Sequence, residues 1–365
     1  MAASESDCCC GGTADDTRPE VLVPCGKGLW LLKGWFHLGE GQSSGLTYSG
    51  LRARLLGLLD AKPWVLDAAA DGQESTKEEL AEEAEAVERL RAGEPAPFVL
   101  DTTMAIVLAS TGVTDGDGAP CLVLISPAPA TAAAQSAIRE IALASGLEPD
   151  RAVGCVVAPN LQHWLFAEQW TALFPAATVM GAPSAMGESL QDKMPDQEVL
   201  PLVDASAAVG CEKRFFHSIC DELEGCLLEG APQAMNEIVH FHGPTRTLIA
   251  ADAAYTGYAA GAPAEQQPSW FGRLWFKLTK PAGSFRRPEL PVYRTHRVVQ
   301  TGSAAAVRES VDRMCRRWAP AERLAGAHAS VPFVPDDGGD AMPAFKAMWE
   351  LGLDAAEKAV GAPSG

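Results

Sequence analysis

The alternation of apolar and polar positions predicts an α/β chain whose most informative stretch is residues 153–170. The apolar run over residues 153–157 has the composition of a buried strand, and apolar residues at helical spacing resume after a short polar loop. In open α/β sheets, the loops beyond the carboxyl ends of strands line the crevice where ligands bind. The loop residues Asn160, Gln162 and His163 are therefore predicted to face a ligand.

The same patterning predicts the other elements of the chain. The upstream elements are a hairpin over 21–38 that turns at 26–28, helices over 51–59 and 75–93, a second hairpin over 98–110 and 121–126, and a helix over 131–144. The downstream elements are strands over 177–180, 237–241, 247–251 and 323–327, and helices over 215–223, 270–278, 303–318 and 341–360. Ser75 and Glu78 have the spacing of a capping box at the start of the second helix. Strands and helices that alternate in this way indicate layered α/β architecture.

This order predicts a single domain over residues 21–362, preceded by a disordered acidic tail over 1–20. Residues 39–97 are predicted to be a helical insertion, because the second helix carries many charges beside a narrow apolar stripe. Residues 263–297 carry seven Lys or Arg against two Glu, with several aromatic residues on one helical face. We interpret this basic aromatic segment as an insertion or lid packed on the core; a helix on a membrane surface is the alternative.

Composition narrows the class of partner. The 29 basic and 47 acidic residues leave a formal charge of −18, which repels phosphate backbones and excludes a nucleic-acid surface. The ten cysteines form no CxxC pair, which predicts reduced thiols and a cytoplasmic protein. The run of Cys8, Cys9 and Cys10 fits a palmitoylation or metal-binding tract, but a disordered tail is favoured. The expected partner is a small-molecule substrate or ligand, and membrane contact is not expected.

Three polar side chains, His163, Asp252 and His328, stand just beyond predicted apolar strands that are far apart in sequence. Two imidazoles and one carboxylate are a competent ligand set for zinc, or for iron(II) when they are arranged facially. The same three residues could equally form a hydrogen-bonded polar cluster. From the residues alone, both interpretations stay open.

Four segments together resemble the metallo-β-lactamase superfamily, specifically an uncharacterised branch known only as a domain of unknown function. They are VVAPNLQH ending at His163, EIVHFH over residues 237–242, TLIAAD ending at Asp252, and LAGAH ending at His328. The resemblance spans residues 98–332 and implies a four-layer αββα sandwich with two mixed sheets. It also implies that His163, Asp252 and His328 are equivalent to ligands of the second metal site.

The chain departs from the superfamily at its metal-binding motif, His-x-His-x-Asp-His. When the last His of the motif is placed on His163, the other three ligand positions hold Ala158, Asn160 and Gln162. A two-metal site is therefore not expected. The resemblance allows one zinc or iron(II) ion, with Asn160 and Gln162 behind the ligands and Glu237 and His242 as groups that move protons.

The leading hypothesis is thus a mononuclear metal-dependent hydrolase of unknown substrate. The alternative is a catalytically inactive, metal-free relative that binds a ligand or partner. A membrane-surface scaffold that uses residues 270–280 is a third hypothesis. The sequence has no GxSxG elbow, no GxxxxGK[ST] loop and no complete GxGxxG after a strand, and Cys155 lies inside an apolar strand.

Overall fold

The apolar runs of the N-terminal half form a mixed sheet in the computed structural model of the chain. The structure describes residues 12–14, 18, 20–38, 48–61, 77–94, 99–113, 118–182, 188–191, 194–202, 216–232, 235–258, 266–280, 288–329 and 332–361. The strands of this first sheet are β1 (Gly12–Ala14), β2 (Val21–Gly26), β3 (Leu29–Leu38), β4 (Val99–Ala109), β5 (Cys121–Ile125), β6 (Val153–Ala158), β7 (Thr178–Gly181) and β8 (Val199–Pro201).

The first sheet is antiparallel at one end and parallel at the other. Its order is β1-β3-β4-β5-β6-β7-β8, and β2 pairs with β3 as the hairpin that the sequence predicts. The pairs β3–β4 and β4–β5 are antiparallel, whereas β5–β6, β6–β7 and β7–β8 are parallel. The parallel part brings the carboxyl ends of β5 and β6 to the same edge, where the loop after β6 begins.

The C-terminal half forms a second mixed sheet. Its strands are β9 (Phe216–Cys220), β10 (Leu223–Leu227), β11 (Ile238–His242), β12 (Thr247–Ile249) and β13 (Arg323–Ala325), in the order β13-β12-β11-β10-β9. Neighbouring strands are antiparallel except β12 and β13, which are parallel. The carboxyl ends of β12 and β13 therefore also lie at one edge.

Helices cover the outer faces of the two sheets. They are α1 (Tyr48–Ala61), α2 (Lys77–Ala92), α3 (Ala132–Ala144), α4 (Ala167–Leu173), α5 (Glu188–Gln191), α6 (Trp270–Thr279), α7 (Val292–Thr301), α8 (Ala304–Trp318) and α9 (Met342–Gly361). One apolar core lies between the first sheet and α3 and α4, one lies between the sheets, and one lies between the second sheet and α7, α8 and α9. This layering confirms the predicted α/β fold with two mixed sheets in an αββα sandwich.

Two sequence-based predictions fail in the second half. The helix predicted over residues 215–223 is wrong, because Phe216–Cys220 and Leu223–Leu227 form a hairpin whose turn is Asp221 and Glu222. Gly225 of this hairpin has no side chain, and a Cβ there would lie 2.5 Å from the ring of His217. The helix Val292–Thr301 was not predicted at all, and it begins directly after Pro291.

Helices α1 and α2 of residues 39–97 pack on helix α6 of the basic aromatic segment. Helices α1, α2 and α6 share a small apolar core built from leucines of α1 and α2 and from Phe271, Leu274 and Leu278. The basic side chains of α6 face acidic ones of α2: Lys277 Nζ lies 2.6 Å from Glu83 Oε2, and Arg273 pairs with Glu82. In the part of the chain that the structure describes, no helix is both long and apolar enough to span a membrane.

Several sequence predictions fall outside the described residues. They concern Ser75 of the capping box, the Cys8–Cys10 run and most of the acidic tail. Within the tail, Gly12–Ala14 pairs antiparallel with residues 36–38, so the first sheet includes residues that precede Val21.

Candidate functional site

The three residues predicted as metal ligands lie together where the two sheets meet. One nitrogen or oxygen atom from each of His163, Asp252 and His328 can be chosen so that all lie within 4.8 Å of one another. His163 belongs to the loop after β6, Asp252 follows β12, and His328 follows β13. Asp252 is 1% exposed and the two imidazoles are 8% and 7% exposed, so the centre meets solvent only at the ring edges.

Both imidazoles are fixed through Nδ1. His163 Nδ1 lies 2.7 Å from Ser126 Oγ, and His328 Nδ1 lies 2.5 Å from the carbonyl oxygen of Asp101. The Nε2 atoms turn inward, at 3.2 Å and 3.6 Å from the two oxygens of Asp252. Because a carbonyl only accepts, the Nδ1 of His328 carries a proton and donates to the Asp101 oxygen.

Ser126 reaches His163 because the chain turns sharply off β5. Its φ of 57° lies in the left-handed region, which a residue with a Cβ seldom adopts. The backbone N–H of Ser126 donates to the carbonyl of Val157 at 3.0 Å, which holds this turn beside β6. Strained backbone at such a position is typical of a functional site.

Asn160 connects the loop after β6 to the second sheet. Its Oδ1 accepts the backbone N–H groups of Gln162 and His163 at 2.8 and 2.9 Å, so it shapes the loop that carries His163. Its Nδ2 donates to Glu237 Oε2 at 2.9 Å and to Asp252 Oδ2 at 3.2 Å. Asn160 is therefore placed directly behind two members of the centre.

Glu237 holds the loop that carries Asp252. Its carboxylate accepts the backbone N–H groups of residues 251, 252 and 253 at 2.8–2.9 Å, in addition to the Asn160 amide. Burial, and then the nearby charge of Asp252, raise the pKa of Glu237 to about 7. Every contact of this carboxylate is thus with groups that position Asp252.

Sequence reasoning missed Arg294 of α7, whose positively charged guanidinium pairs with Asp252 in the site. Its Nη2 lies 2.6 Å from Asp252 Oδ1 and 2.6 Å from the Oε1 of Gln162, which accepts from it. The guanidinium lies 5.8 Å from the ring centroids of both Tyr255 and Tyr293, and its Nε is buried without a hydrogen-bond partner among the described residues. The structure places Arg294 on the buried side of α7 together with Thr295 and Val298.

The ion pair sets the charge state of the centre. Burial alone would raise the pKa of Asp252, but the Arg294 guanidinium and then His163 hold it well below its usual value. Burial lowers the pKa of His163 despite the nearby Asp252 carboxylate, so its imidazole is neutral at pH 7. The site therefore offers a carboxylate and a neutral imidazole, which is the form of histidine that binds metals.

A second buried network supports His328 from behind. Lys33 Nζ lies 3.0 Å from Asp101 Oδ2 and donates to the carbonyl of Ala329 at 2.8 Å, and Tyr258 donates to Asp101 Oδ1. Asp101 also accepts the backbone N–H of Ala329 at 3.1 Å. The residue whose carbonyl fixes His328 is thus itself fixed by a buried ion pair.

The structure does not bring His242 to this centre. His242 ends β11 whereas Glu237 precedes it, and five residues of strand span about 16 Å. Its Nδ1 lies 2.7 Å from Thr245 Oγ1, and burial lowers its pKa to about 4. His242 therefore contacts a local turn at the opposite end of the strand.

No family model matches the chain, and no curated protein matches it. The similar solved structures include a metallo-β-lactamase from Hirschia baltica, with a TM-score of 0.46, 8% identity, and coverage of 92% of this chain and 98% of that one.

Two others are FIM-1 from Pseudomonas aeruginosa in its mono-zinc form and an enzyme from Pontibacter korlensis. The first has a TM-score of 0.46, 10% identity and coverage of 94% and 97% of the two chains; for the second the values are 0.42, 11%, 93% and 99%.

Proposed function

We propose that the protein is a hydrolase that depends on one divalent metal ion bound by His163, Asp252 and His328. The observation that carries this proposal is the convergence of three donor atoms within 4.8 Å from strands of both sheets. Zinc and iron(II) both accept two imidazoles and one carboxylate, with further positions open to water or substrate.

The residues fit such an ion. Metal-binding histidines commonly donate their second ring nitrogen to a carbonyl or another acceptor, which fixes the ring and its tautomer. His328 does so with the Asp101 carbonyl, and His163 has Ser126 at the equivalent position. Asp252 Oδ1 is engaged by Arg294 and by the hydroxyl of Tyr255 at 3.1 Å, whereas Oδ2 accepts the Asn160 amide at 3.2 Å and lies 3.2 Å from His163 Nε2.

Lewis acidity is the chemistry that a bound divalent ion supplies, and it activates water and polarises a carbonyl or phosphoryl oxygen. The residues of the chain supply the rest. Asn160 and Glu237 orient Asp252, and Arg294 provides a fixed positive charge beside the place where negative charge develops in hydrolysis. Proton transfer by Glu237 or His242 stays a prediction; of these two, Glu237 is the one in contact with the centre.

One observation favours the metal-free alternative. The guanidinium of Arg294 already compensates the charge of Asp252, so a hydrogen-bonded cluster of His163, Asp252, His328 and Arg294 is electrostatically complete without an ion. In that case the same pocket would bind a ligand without catalysis. The two functions differ in one measurable quantity, the metal content.

The test is metal content by mass spectrometry on protein purified without chelator and then supplied with zinc or iron(II). The proposal expects about one ion per chain, lost in a His163→Ala/His328→Ala variant that keeps its circular dichroism spectrum. His296→Ala, a histidine outside the centre, is the matched control and should keep the ion. Absence of metal from the reconstituted wild type would favour the ligand-binding alternative, whereas a bound ion justifies assays with ester, thioester and phosphodiester substrates.

A further inference from the structure

A cleft of about 390 Å³ lies between α1 and α7. Its volume is in the range of pockets that hold small molecules, roughly 300–1,000 Å³. The residues that line it are Arg54, Tyr293, His296, Arg297 and Gln300. None of them was singled out by the sequence analysis, and every one carries a polar group.

One face of α7 forms a wall of this cleft. Tyr293, His296, Arg297 and Gln300 stand at positions i, i+3, i+4 and i+7 of the helix, which places them in one row. Arg54 faces them from α1, with its guanidinium 5.6 Å from the ring centroid of Trp275. The ring centroid of Trp275 lies 6.3 Å from that of Tyr293. Trp275 therefore contacts both Arg54 on the α1 side of the cleft and Tyr293 on the α7 side.

The cleft is basic in a strongly acidic chain. Acidic residues outnumber basic ones by 47 to 29, yet among the described residues neither Arg54 nor Arg297 has a carboxylate within ion-pair distance. Both arginines are exposed, and each presents hydrogen-bond donors suited to an oxyanion. A local positive field is what an anionic ligand needs in order to approach a protein of charge −18.

The cleft is connected to the centre through two tyrosines. Tyr293 lines the cleft. Tyr255 donates to Asp252 Oδ1 at 3.1 Å. The next residue along α7, Arg294, has its guanidinium beside both rings. The side chains of Tyr293, Arg294 and Tyr255 therefore connect the cleft to Asp252.

We propose that this cleft binds the anionic end of the substrate, a phosphoryl or carboxylate oxyanion held by Arg54 and Arg297, while the scissile bond lies at the centre. The position of the scissile bond at the centre rests on the proposed hydrolase function. Anion binding itself requires no metal, and this permits a separate test.

The experiment uses the full chain, freed of metal and then dialysed free of chelator, and titrates it with inorganic phosphate or with succinate at constant ionic strength. Binding is followed by calorimetry and by tryptophan fluorescence, because Trp275 lies beside both the Arg54 guanidinium and Tyr293. The expected result is saturable binding that weakens by about tenfold or more in Arg54→Gln/Arg297→Gln. Tighter binding of phosphate identifies a phosphoryl group, and tighter binding of succinate identifies a carboxylate.

The matched control is Arg139→Gln/Arg316→Gln, which removes the same charge from exposed arginines on α3 and α8. Affinity in this control should stay within about twofold of the wild type, since screening limits the reach of distant charges. Equal loss in both double variants, or no saturable binding of either anion, would overturn the inference. Anion binding at the cleft in a protein that takes up no metal would refute the hydrolase proposal and leave the cleft as the binding site of the metal-free alternative.

Discussion

Arg294 Nη2 lies 2.6 Å from Asp252 Oδ1, so a buried guanidinium forms an ion pair with the carboxylate that would bind the metal. Both side chains are about 5% exposed or less. A buried ion pair of this kind loses about 3–5 kcal/mol of stability when one partner is removed, because the other charge stays buried without compensation. The guanidinium and a divalent ion would compete for the same negative charge.

The first prediction follows from that competition. Arg294→Met should lower the free energy of unfolding of the metal-free protein by about 3–5 kcal/mol. The same change should tighten zinc binding, because Asp252 is released for the ion. Thermal unfolding with and without zinc checks both effects, since an ion that binds the folded state raises the transition temperature.

Arg297→Met is the control for this prediction, because Arg297 is one turn further along α7 and exposed. It should change neither the unfolding transition without metal nor the affinity for zinc. Zinc affinity that is equal in the Arg294→Met variant and in the wild type would show that the guanidinium and the ion do not compete.

The second prediction concerns Asn160, which makes four hydrogen bonds inside the site. Asn160→Ala should lower the free energy of unfolding by about 2–4 kcal/mol, because two carboxylates and two backbone N–H groups lose a buried partner. Urea unfolding gives the difference. Gln169→Ala, which removes one exposed bond to the Ala130 N–H, should cost less than about 1 kcal/mol; equal losses in both variants would contradict the central role of Asn160.

The third prediction concerns acid stability and the histidine pair of the inter-sheet core. Burial lowers the pKa of His240 to about 3 and that of His217 to about 4, although Glu224 acts in the opposite direction on His217. In the unfolded chain both titrate near 6.5, so between pH 6.5 and 4 the unfolded state binds more protons. Stability is therefore fully present above about pH 6.5 and is lost as the pH falls, by about 1.4 kcal/mol per pH unit for each histidine.

His240→Phe removes one group that binds a proton in the unfolded chain but not in the folded protein. The slope of the unfolding free energy against pH, between pH 4.5 and 6, should therefore fall by about 1.4 kcal/mol per pH unit. At pH 7.5 the variant should be at least as stable as the wild type, because neither ring nitrogen of His240 has a partner in the described structure. Urea unfolding at a series of pH values measures both quantities. An unchanged slope would show that His240 is not buried in its neutral form.

The fourth prediction concerns the contact between α2 and α6. Lys277 Nζ and Glu83 Oε2 are 2.6 Å apart with side chains 5% and 26% exposed, which makes this pair better shielded than an ordinary surface ion pair. A double-mutant cycle with Lys277→Gln and Glu83→Gln should give a coupling energy of about 1 kcal/mol. The Arg91–Glu88 pair, with side chains 55% and 74% exposed, is the control and should give close to zero.

The sequence could predict His163, Asp252 and His328 because each is a polar residue a few positions after an apolar strand, and loops beyond the carboxyl ends of strands line ligand sites. It could not predict Arg294 as part of the site, because the helix Val292–Thr301 was not predicted and an arginine is ordinarily assigned to the solvent-exposed surface. The hairpin at Phe216–Leu227 was mistaken for a helix because its short apolar run has no clear period. The position of His242 depends on strand length, since a residue five places after Glu237 lies at the other end of the strand.

The location of the centre has one more consequence. His163 lies in the loop after β6 of the first sheet, and Asp252 and His328 follow strands of the second, so a metal ion bound by all three would act as a non-covalent cross-link between the halves of the sandwich. Loss of these residues would cost folding stability whether or not a reaction takes place there. Selection for stability would therefore keep the three residues even in a descendant that had lost catalysis. Their retention alone would not distinguish an enzyme from a binding protein.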